Sequence, residues 1–172
     1  MEMYDVYNDE RIPTGKILPR NERCGKGENR QVVHICIFNS NNEVLIQQRQ
    51  STKRDYANLW DLSVGGCSIA GETSKQTAHR ELLEELGIDY DFTENKPYLS
   101  INFEGGFDDF YFVFMDLDIS TLKLQESEVQ AVKWASLEDV LKLRRENKFI
   151  AYFETFLVSL FDLKTKRGCF DI

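Results

Sequence analysis

The segment GGCSIAGETSKQTAHRELLEELGI, Gly65 to Ile88, constrains this chain more than any other. It reads as a glycine-bearing loop that runs into a helix. Thr73 and Gln76, three residues apart, form a capping box at the helix start. Gly87 supplies the stop. Ala78, Leu82 and Leu86 recur at helical spacing and make an apolar stripe suited to packing on a sheet. At about 100° per residue, Glu81, Glu84 and Glu85 fall beside that stripe within one arc of roughly 100°. That is the wrong end for them, because the C-terminal end of a helix carries partial negative charge and favours lysine or arginine. Each like-charged pair at this spacing costs about 0.2–0.5 kcal/mol. Each carboxylate in the last turn adds about 0.3–1 kcal/mol of unfavourable dipole interaction. Arg80 can offset part of this by pairing with Glu84, four residues on.

The loop ahead of the helix suggests what the carboxylates are for. Gly65, Gly66 and Gly71 flank a short segment, and Glu72 sits at the helix start. Glycine permits close approach of backbone to a ligand. A divalent cation with a preference for hard oxygen donors would neutralise the clustered carboxylates, and Mg²⁺ combines one or two carboxylates with substrate phosphates. The arrangement reads as a metal–phosphate site. A solvated acidic face is the alternative reading of the carboxylate spacing alone.

The rest of the chain fits a layered domain of strands and helices. Its 172 residues suffice for one domain with a sizeable core, and 42% apolar and 12% aromatic residues mark it as globular. Tyr4 to Leu18 reads as a hairpin around Asn8-Asp9-Glu10, and Arg20 to Arg30 as a loop. Gln31 to Phe38 and Glu43 to Gln48 read as a second hairpin. Arg49 to Asn58 is a basic loop. Trp60 to Val64 reads as one short strand feeding the glycine loop. Tyr98 to Phe103 and Phe110 to Met115 read as strands joined by a loop from Glu104 to Asp109, and Gln130 to Trp134 as another strand. Ser136 caps a helix through about Glu146. Phe149, Phe153, Phe156, Leu157 and Leu160 recur at helical spacing, which predicts an amphipathic C-terminal helix. The expected class is α/β or α+β.

Composition narrows the partners. A formal net charge of −8 speaks against general binding of nucleic acid or anionic membranes. No apolar run reaches the length of a membrane span, and the opening MEMYDVYNDER carries no secretory pattern, which points to the cytoplasm. Cys24, Cys36, Cys67 and Cys169 form no CxxC pair, and His34 and His79 complete no zinc spacing, so free thiols are expected.

The segment resembles the Nudix (MutT-like) box, GX5EX7REUXEEXGU with U apolar, at every position: Gly66, Glu72, Arg80, Glu81, Leu82, Glu84, Glu85, Gly87 and Ile88. The FN…EVLIQQR hairpin, the WDLSVGG entry and the WASLED stretch near the end resemble the same superfamily. The resemblance implies an α/β/α sandwich with a mixed β-sheet, a single domain over residues 1–172 and the box at 66–88. It implies a metal-dependent pyrophosphohydrolase that uses Mg²⁺ or Mn²⁺ to cleave a nucleoside diphosphate linked to another group X. Position by position, Glu84 and Glu85 become metal ligands, and Glu81 a ligand or the general base. The Gly66 carbonyl becomes a further ligand. Arg80 orients the glutamates, with Glu72 paired to it or reaching metal through water. An acid outside the box can also serve as base, and Glu104, Asp108, Asp109, Glu126 and Glu128 are the candidates.

Among Arg49, Lys53 and Arg54, one is expected to contact substrate phosphate, with Arg49 and Arg54 preferred; solvated loop charges are the plainer reading. Tyr56, Trp60, Phe103, Phe107 and Phe110 are candidates to stack a base. A homodimer would form on the N-terminal hairpin or the C-terminal helix.

The flanks also resemble the branch that includes isopentenyl-diphosphate isomerases, and Glu126-Ser127-Glu128 is similar to their metal-binding ExE pair. Those enzymes place a catalytic cysteine where this chain has Gly65 and a metal-binding histidine where it has Cys67. Arg30 falls where another histidine is expected, and His34 is offset. Those isomerases do not keep an intact box of this kind, so its presence here favours hydrolysis. A non-catalytic nucleotide sensor is the remaining class, and such proteins lose box glutamates that this chain retains.

Overall fold

The computed structural model describes residues 2–165. The chain opens with an antiparallel hairpin, β1 (Met3–Tyr7) and β2 (Pro13–Pro19), with Tyr4 opposite Leu18. Asn8 makes the turn: its side-chain oxygen accepts from the amides of Glu10 and Ile12. A seven-stranded sheet follows, made of β3 (Arg30–Phe38), β4 (Val44–Arg49), β5 (Trp60–Asp61), β6 (Val64–Cys67), β7 (Leu99–Phe103), β8 (Gly106–Phe114) and β9 (Val129–Ala135). Its order is β5-β4-β3-β8-β7, with β6 paired to β3 and β9 to β4. Three helices, α1 (Ser74–Leu86), α2 (Leu137–Arg145) and α3 (Glu154–Leu163), complete the expected α/β class with its mixed sheet. No helix among the described residues is long and apolar enough to cross a membrane.

Two compact units can be told apart. The first comprises Met1–Ile35, Gly65–Leu83 and Ile88–Tyr111. Tyr4, Val6 and Leu18 form a buried cluster there, with Cys24 and Cys67 packed against it. Tyr7 meets Phe107 edge-on at 5.2 Å. The second unit comprises Cys36–Val64, Glu84–Gly87 and the chain from Phe112 onward. β4 is its spine: Val44, Leu45 and Ile46 are fully buried. β9 runs antiparallel to β4 from Val44↔Ala135 to Arg49↔Val129. Phe38 meets Phe112 and Phe161 edge-on at 5.4 Å each.

Several boundaries differ from the sequence reading. Trp60 to Val64 is not one strand. Asp61 takes the amide of Leu62 on its side chain, and Ser63 turns its hydroxyl to Leu45, so pairing breaks and resumes as β6. Gly65 and Gly66 therefore lie in a strand rather than a loop. β8 starts at Gly106, pairing with Phe103, so the connecting turn shrinks to Glu104-Gly105, and Asp108 and Asp109 sit in the strand. Gly105, at φ 82°, supplies the left-handed residue such a turn needs.

Phe149 is not on the last helix. It bridges to Trp60 and is 2% exposed, while Phe153 precedes α3 and is 82% exposed. Leu157 and Leu160 are the buried face of α3. A short 3-10 turn, Ile119–Thr121, capped by Asp118, had no signal in the apolar pattern. Among the described residues, Cys24, Cys36 and Cys67 are not joined in disulfides, as expected, and Cys169 lies outside the described residues.

Ser63 holds the second unit together at one point. Its hydroxyl donates to the Leu45 carbonyl at 2.6 Å and accepts from the Ile37 amide at 2.8 Å, fully buried. Ser63→Ala strands both backbone groups and is expected to cost about 1–3 kcal/mol, read as a lower urea midpoint. An unchanged midpoint would show that the backbone re-pairs without the hydroxyl.

Candidate active site on the carboxylate helix

α1 forms where the spacing places it. Thr73 and Gln76 exchange hydrogen bonds: the Gln76 amide donates to Thr73 Oγ1 and the Thr73 amide to Gln76 Oε1. Gly87, at φ 71°, ends the helix, and the Ile88 amide reaches back to the Leu82 carbonyl. Ala78, Leu82 and Leu86 are fully buried. The last turn carries no basic residue. Its orphan carbonyls are met by backbone instead: Glu85 and Leu86 accept from the amides of Gln125 and Lys123.

The three carboxylates do not share one environment. Glu84 is exposed, whereas Glu81 and Glu85 are only 6% and 5% exposed. Two carboxylates buried one turn apart on the same helix need compensation. Glu81 receives it from Arg80, whose Nη1 donates to Glu81 Oε1 at 2.9 Å. Glu85 receives it from Gln47 on β4, whose amide donates to Oε2 at 2.8 Å.

Arg80 reaches further. Its Nε and Nη2 grip both oxygens of Glu72, at 2.7 and 2.9 Å, and Nη2 also donates to the Cys67 carbonyl at 3.2 Å. Glu72 in turn accepts from the Ile69 amide and the Thr77 hydroxyl. Burial alone would raise the Glu72 carboxyl, but the bonds from Arg80, Ile69 and Thr77 outweigh it and hold the group below the usual carboxylate range. Burial would likewise lower Arg80, yet Glu72 and Glu81 keep it firmly charged.

The two glycines of β6 each leave room for a side chain. A methyl group at Gly66 would lie 2.0 Å from Glu81 Oε1. One at Gly65 would lie 2.8 Å from Cδ2 and Nε2 of His34. His34 Nδ1 sits 2.7 Å from Asp108 Oδ2, and its ring stacks on Phe110 at 5.0 Å. The other Asp108 oxygen is buried and has no hydrogen-bond partner among the described residues. Asp109, by contrast, is committed to Gln31, Ser74 and Ser100.

The remaining candidates are scattered. Arg49 spends its guanidinium on the Asp55 carbonyl at 3.4 Å, and Arg54 is exposed. Lys53 pairs with Glu128. Glu104 and Glu126 are exposed. Of the aromatic candidates, Phe107 and Phe110 are buried, Tyr56 is 56% exposed and Phe103 is 40% exposed. Lys133 lies over the Trp60 ring at 4.6 Å. Sequence reasoning missed the His34–Asp108 pair, because β3 and β8 are far apart in the chain and no local spacing links them.

Among the described residues, no three His, Cys, Asp or Glu side chains gather closely enough to hold a metal ion. The donor chemistry still fits a hard cation: the acidic edge of α1 offers carboxylate oxygens, and Glu81 can lie against the β6 backbone because Gly66 has no side chain.

A model of the NUDIX domain family matches residues 28–155. The chain belongs to the Nudix family. An uncharacterized Nudix hydrolase of Listeria monocytogenes is 44% identical over 164 residues, spanning 95% of this chain and 96% of the relative. The isopentenyl-diphosphate Delta-isomerase of Pectobacterium atrosepticum is 25% identical over 150 residues, spanning 83% and 82%. A crystal structure from Deinococcus radiodurans superposes with a TM-score of 0.76 at 21% identity, covering 92% of this chain and 98% of that one, which shows a shared fold. With this membership the chain is a Nudix hydrolase, and the α/β class with a mixed sheet is that of the family.

The Arg80–Glu72 pair in this Nudix hydrolase has a pH signature. A carboxyl held low in the fold stabilises fully above its unfolded pKa of about 4.3, and loses that contribution as pH falls through the lower folded value. Glu72→Gln is expected to lower the urea midpoint at pH 7 and to flatten the loss of stability on acidification below about pH 4.3. Parallel wild-type and variant curves across that range would contradict the pairing.

Proposed function

We propose that this Nudix hydrolase is a metal-dependent pyrophosphohydrolase that cleaves the phosphoanhydride of a nucleoside diphosphate linked to a group X. The observation that carries this reading is the burial of Glu81 and Glu85 on one helix whose last turn has no cation of its own. Glu81, Glu84, Glu85 and the Gly66 carbonyl would hold Mg²⁺ or Mn²⁺. Such an ion supplies neutralisation of phosphate charge and a more acidic bound water.

The chain's own residues do the positioning. Arg80 keeps Glu81 in one orientation and ties it to Glu72 and the Cys67 carbonyl. A carboxylate that accepts from a guanidinium at one oxygen is fixed in orientation, which suits a ligand that must meet a cation in one geometry. We therefore assign Glu81 to the cation, and place the proton acceptor among the acids outside the box. Gln47 fixes one oxygen of Glu85 and leaves Glu84 on the exposed side of the helix.

The isomerase alternative needs a reactive thiol near Gly65. Cys67 is the nearest cysteine in sequence, and burial pushes its thiol up, only partly offset by Arg30 and Arg20. It donates to the Gln31 carbonyl at 3.4 Å. Neither feature suits a thiolate. A cytoplasmic small-molecule hydrolase is the role we assign.

Glu84→Gln and Glu85→Gln are each expected to lower turnover of diphosphate substrates at least about a hundredfold in Mg²⁺ or Mn²⁺. Phosphorus NMR of a substrate panel reads this directly. Undiminished turnover in either variant would remove that residue from the ligand set, and conversion of isopentenyl diphosphate without phosphate release would favour the isomerase.

A further inference from the structure

The first unit contains a cavity of about 1040 Å³ that the carboxylate helix does not line. Its walls are the 23–30 segment and the turn at 103–105, with Asp9 at one side. The volume is at the upper end of the range typical of small-ligand pockets, roughly 300–1,000 Å³. Arg23, Lys26 and Arg30 all line it. The acids on the same walls are largely spoken for: Glu28 is bonded by Lys16 and the Gly25 amide, and Asp9 by Asn29. Glu104 is exposed at the turn.

Arg30 is the informative residue. Its side chain is half-buried, and its guanidinium makes no hydrogen bond or ion pair with any described residue. A partly desolvated cation without a partner is costly, and an anion restores the balance. In a chain of net charge −8, a guanidinium left this way among nearby acids is conspicuous.

Phe103 supplies a second, independent feature. A methyl group at Gly106 would lie 2.5 Å from Phe103 Cζ, so the ring is seated on the bare Gly106 backbone. The ring remains 40% exposed and lines the cavity. A fixed, half-open aromatic face accepts a flat heterocycle by stacking. The strand that ends the cavity wall is tied to the box through its backbone. Gln31, next to Arg30, accepts from the Ser68 amide and the Cys67 thiol, and Cys67 follows Gly66.

We propose that this cavity binds a nucleoside phosphate, its base stacked on Phe103 and its phosphate paired with Arg30. Resting on the hydrolase reading, this makes the cavity the nucleoside end of the substrate, with the diphosphate running from Arg30 toward Gly66. Lys26 and Arg23, on the exposed rim, add attraction for the incoming anion.

The test uses the full chain with EDTA present, so that nothing is turned over, and calorimetric titration with AMP, adenosine and inorganic phosphate. Wild type is expected to bind AMP more tightly than either part alone. Arg30→Gln is expected to weaken AMP and phosphate at least about tenfold. Phe103→Ala is expected to weaken AMP and adenosine about tenfold and leave phosphate unchanged. Unchanged thermal melts confirm that both variants are folded. AMP affinity equal to wild type in both variants overturns the proposal, as does failure of wild type to bind AMP at millimolar concentration. Phosphate binding as tight as AMP, with no effect of Phe103→Ala, overturns the nucleoside half. If AMP binds as expected but no diphosphate is cleaved with Mg²⁺ or Mn²⁺, the hydrolase reading fails and the nucleotide site stands. If cleavage is intact while both variants bind AMP normally, the reverse holds.

Discussion

One guanidinium organises the chemistry of this chain. Arg80 lies on α1 yet spends its donors on Glu72 ahead of the helix, on Glu81 beside it, and on the Cys67 carbonyl of β6. Without it, Glu81 would be a buried carboxylate with a like charge one turn away, an arrangement that proteins neutralise or avoid. With it, a helix, the segment leading into it and a strand share one charge-assisted junction. The bidentate grip on Glu72 fixes orientation as well as energy, because a planar fork matches a carboxylate in only a few ways. Lysine at this position could not make the same set of bonds.

The glycines of β6 are the steric counterpart of that junction. Gly66 is bare because the Glu81 carboxylate occupies the space of its side chain, and Gly65 because the His34 ring does. Successive strand residues face opposite ways. Two adjacent glycines therefore let the strand meet a carboxylate on one side and an imidazole on the other. Any larger residue at 66 would displace the carboxylate that Arg80 holds in place.

The local parts of this arrangement were legible in the sequence. The capping residues Thr73 and Gln76, the stop at Gly87 and the buried stripe through Leu82 and Leu86 all follow from helical spacing. Glu72, Arg80 and the three helix glutamates were readable as a set because their chemistry lies within one short segment. What failed to show was whatever depends on distant partners. β6 was hidden because Ser63 breaks the strand through bonds to Leu45 and Ile37, and β8 starts early because its register with β7 is set by a two-residue turn. Phe149 matched a helical period by coincidence and instead packs beside Trp60. Arg49 and Arg54, the arginines expected at phosphate, lie near the box in sequence; Arg30, fifty residues before Arg80, lines a cavity that no local spacing predicts. Only the fold brings its guanidinium and Phe103 to one cavity.

The central claim is that the acidic edge of α1 grips a divalent cation against a pyrophosphate. Anomalous diffraction at the manganese edge, from crystals grown with Mn²⁺ and a non-hydrolysable diphosphate analogue, tests it most directly. The expected result is a peak within coordination distance of Glu81, Glu84, Glu85 and the Gly66 carbonyl, beside the analogue's phosphate. Manganese bound elsewhere, with no peak within coordination distance of Glu81, Glu84 or Glu85, would contradict it.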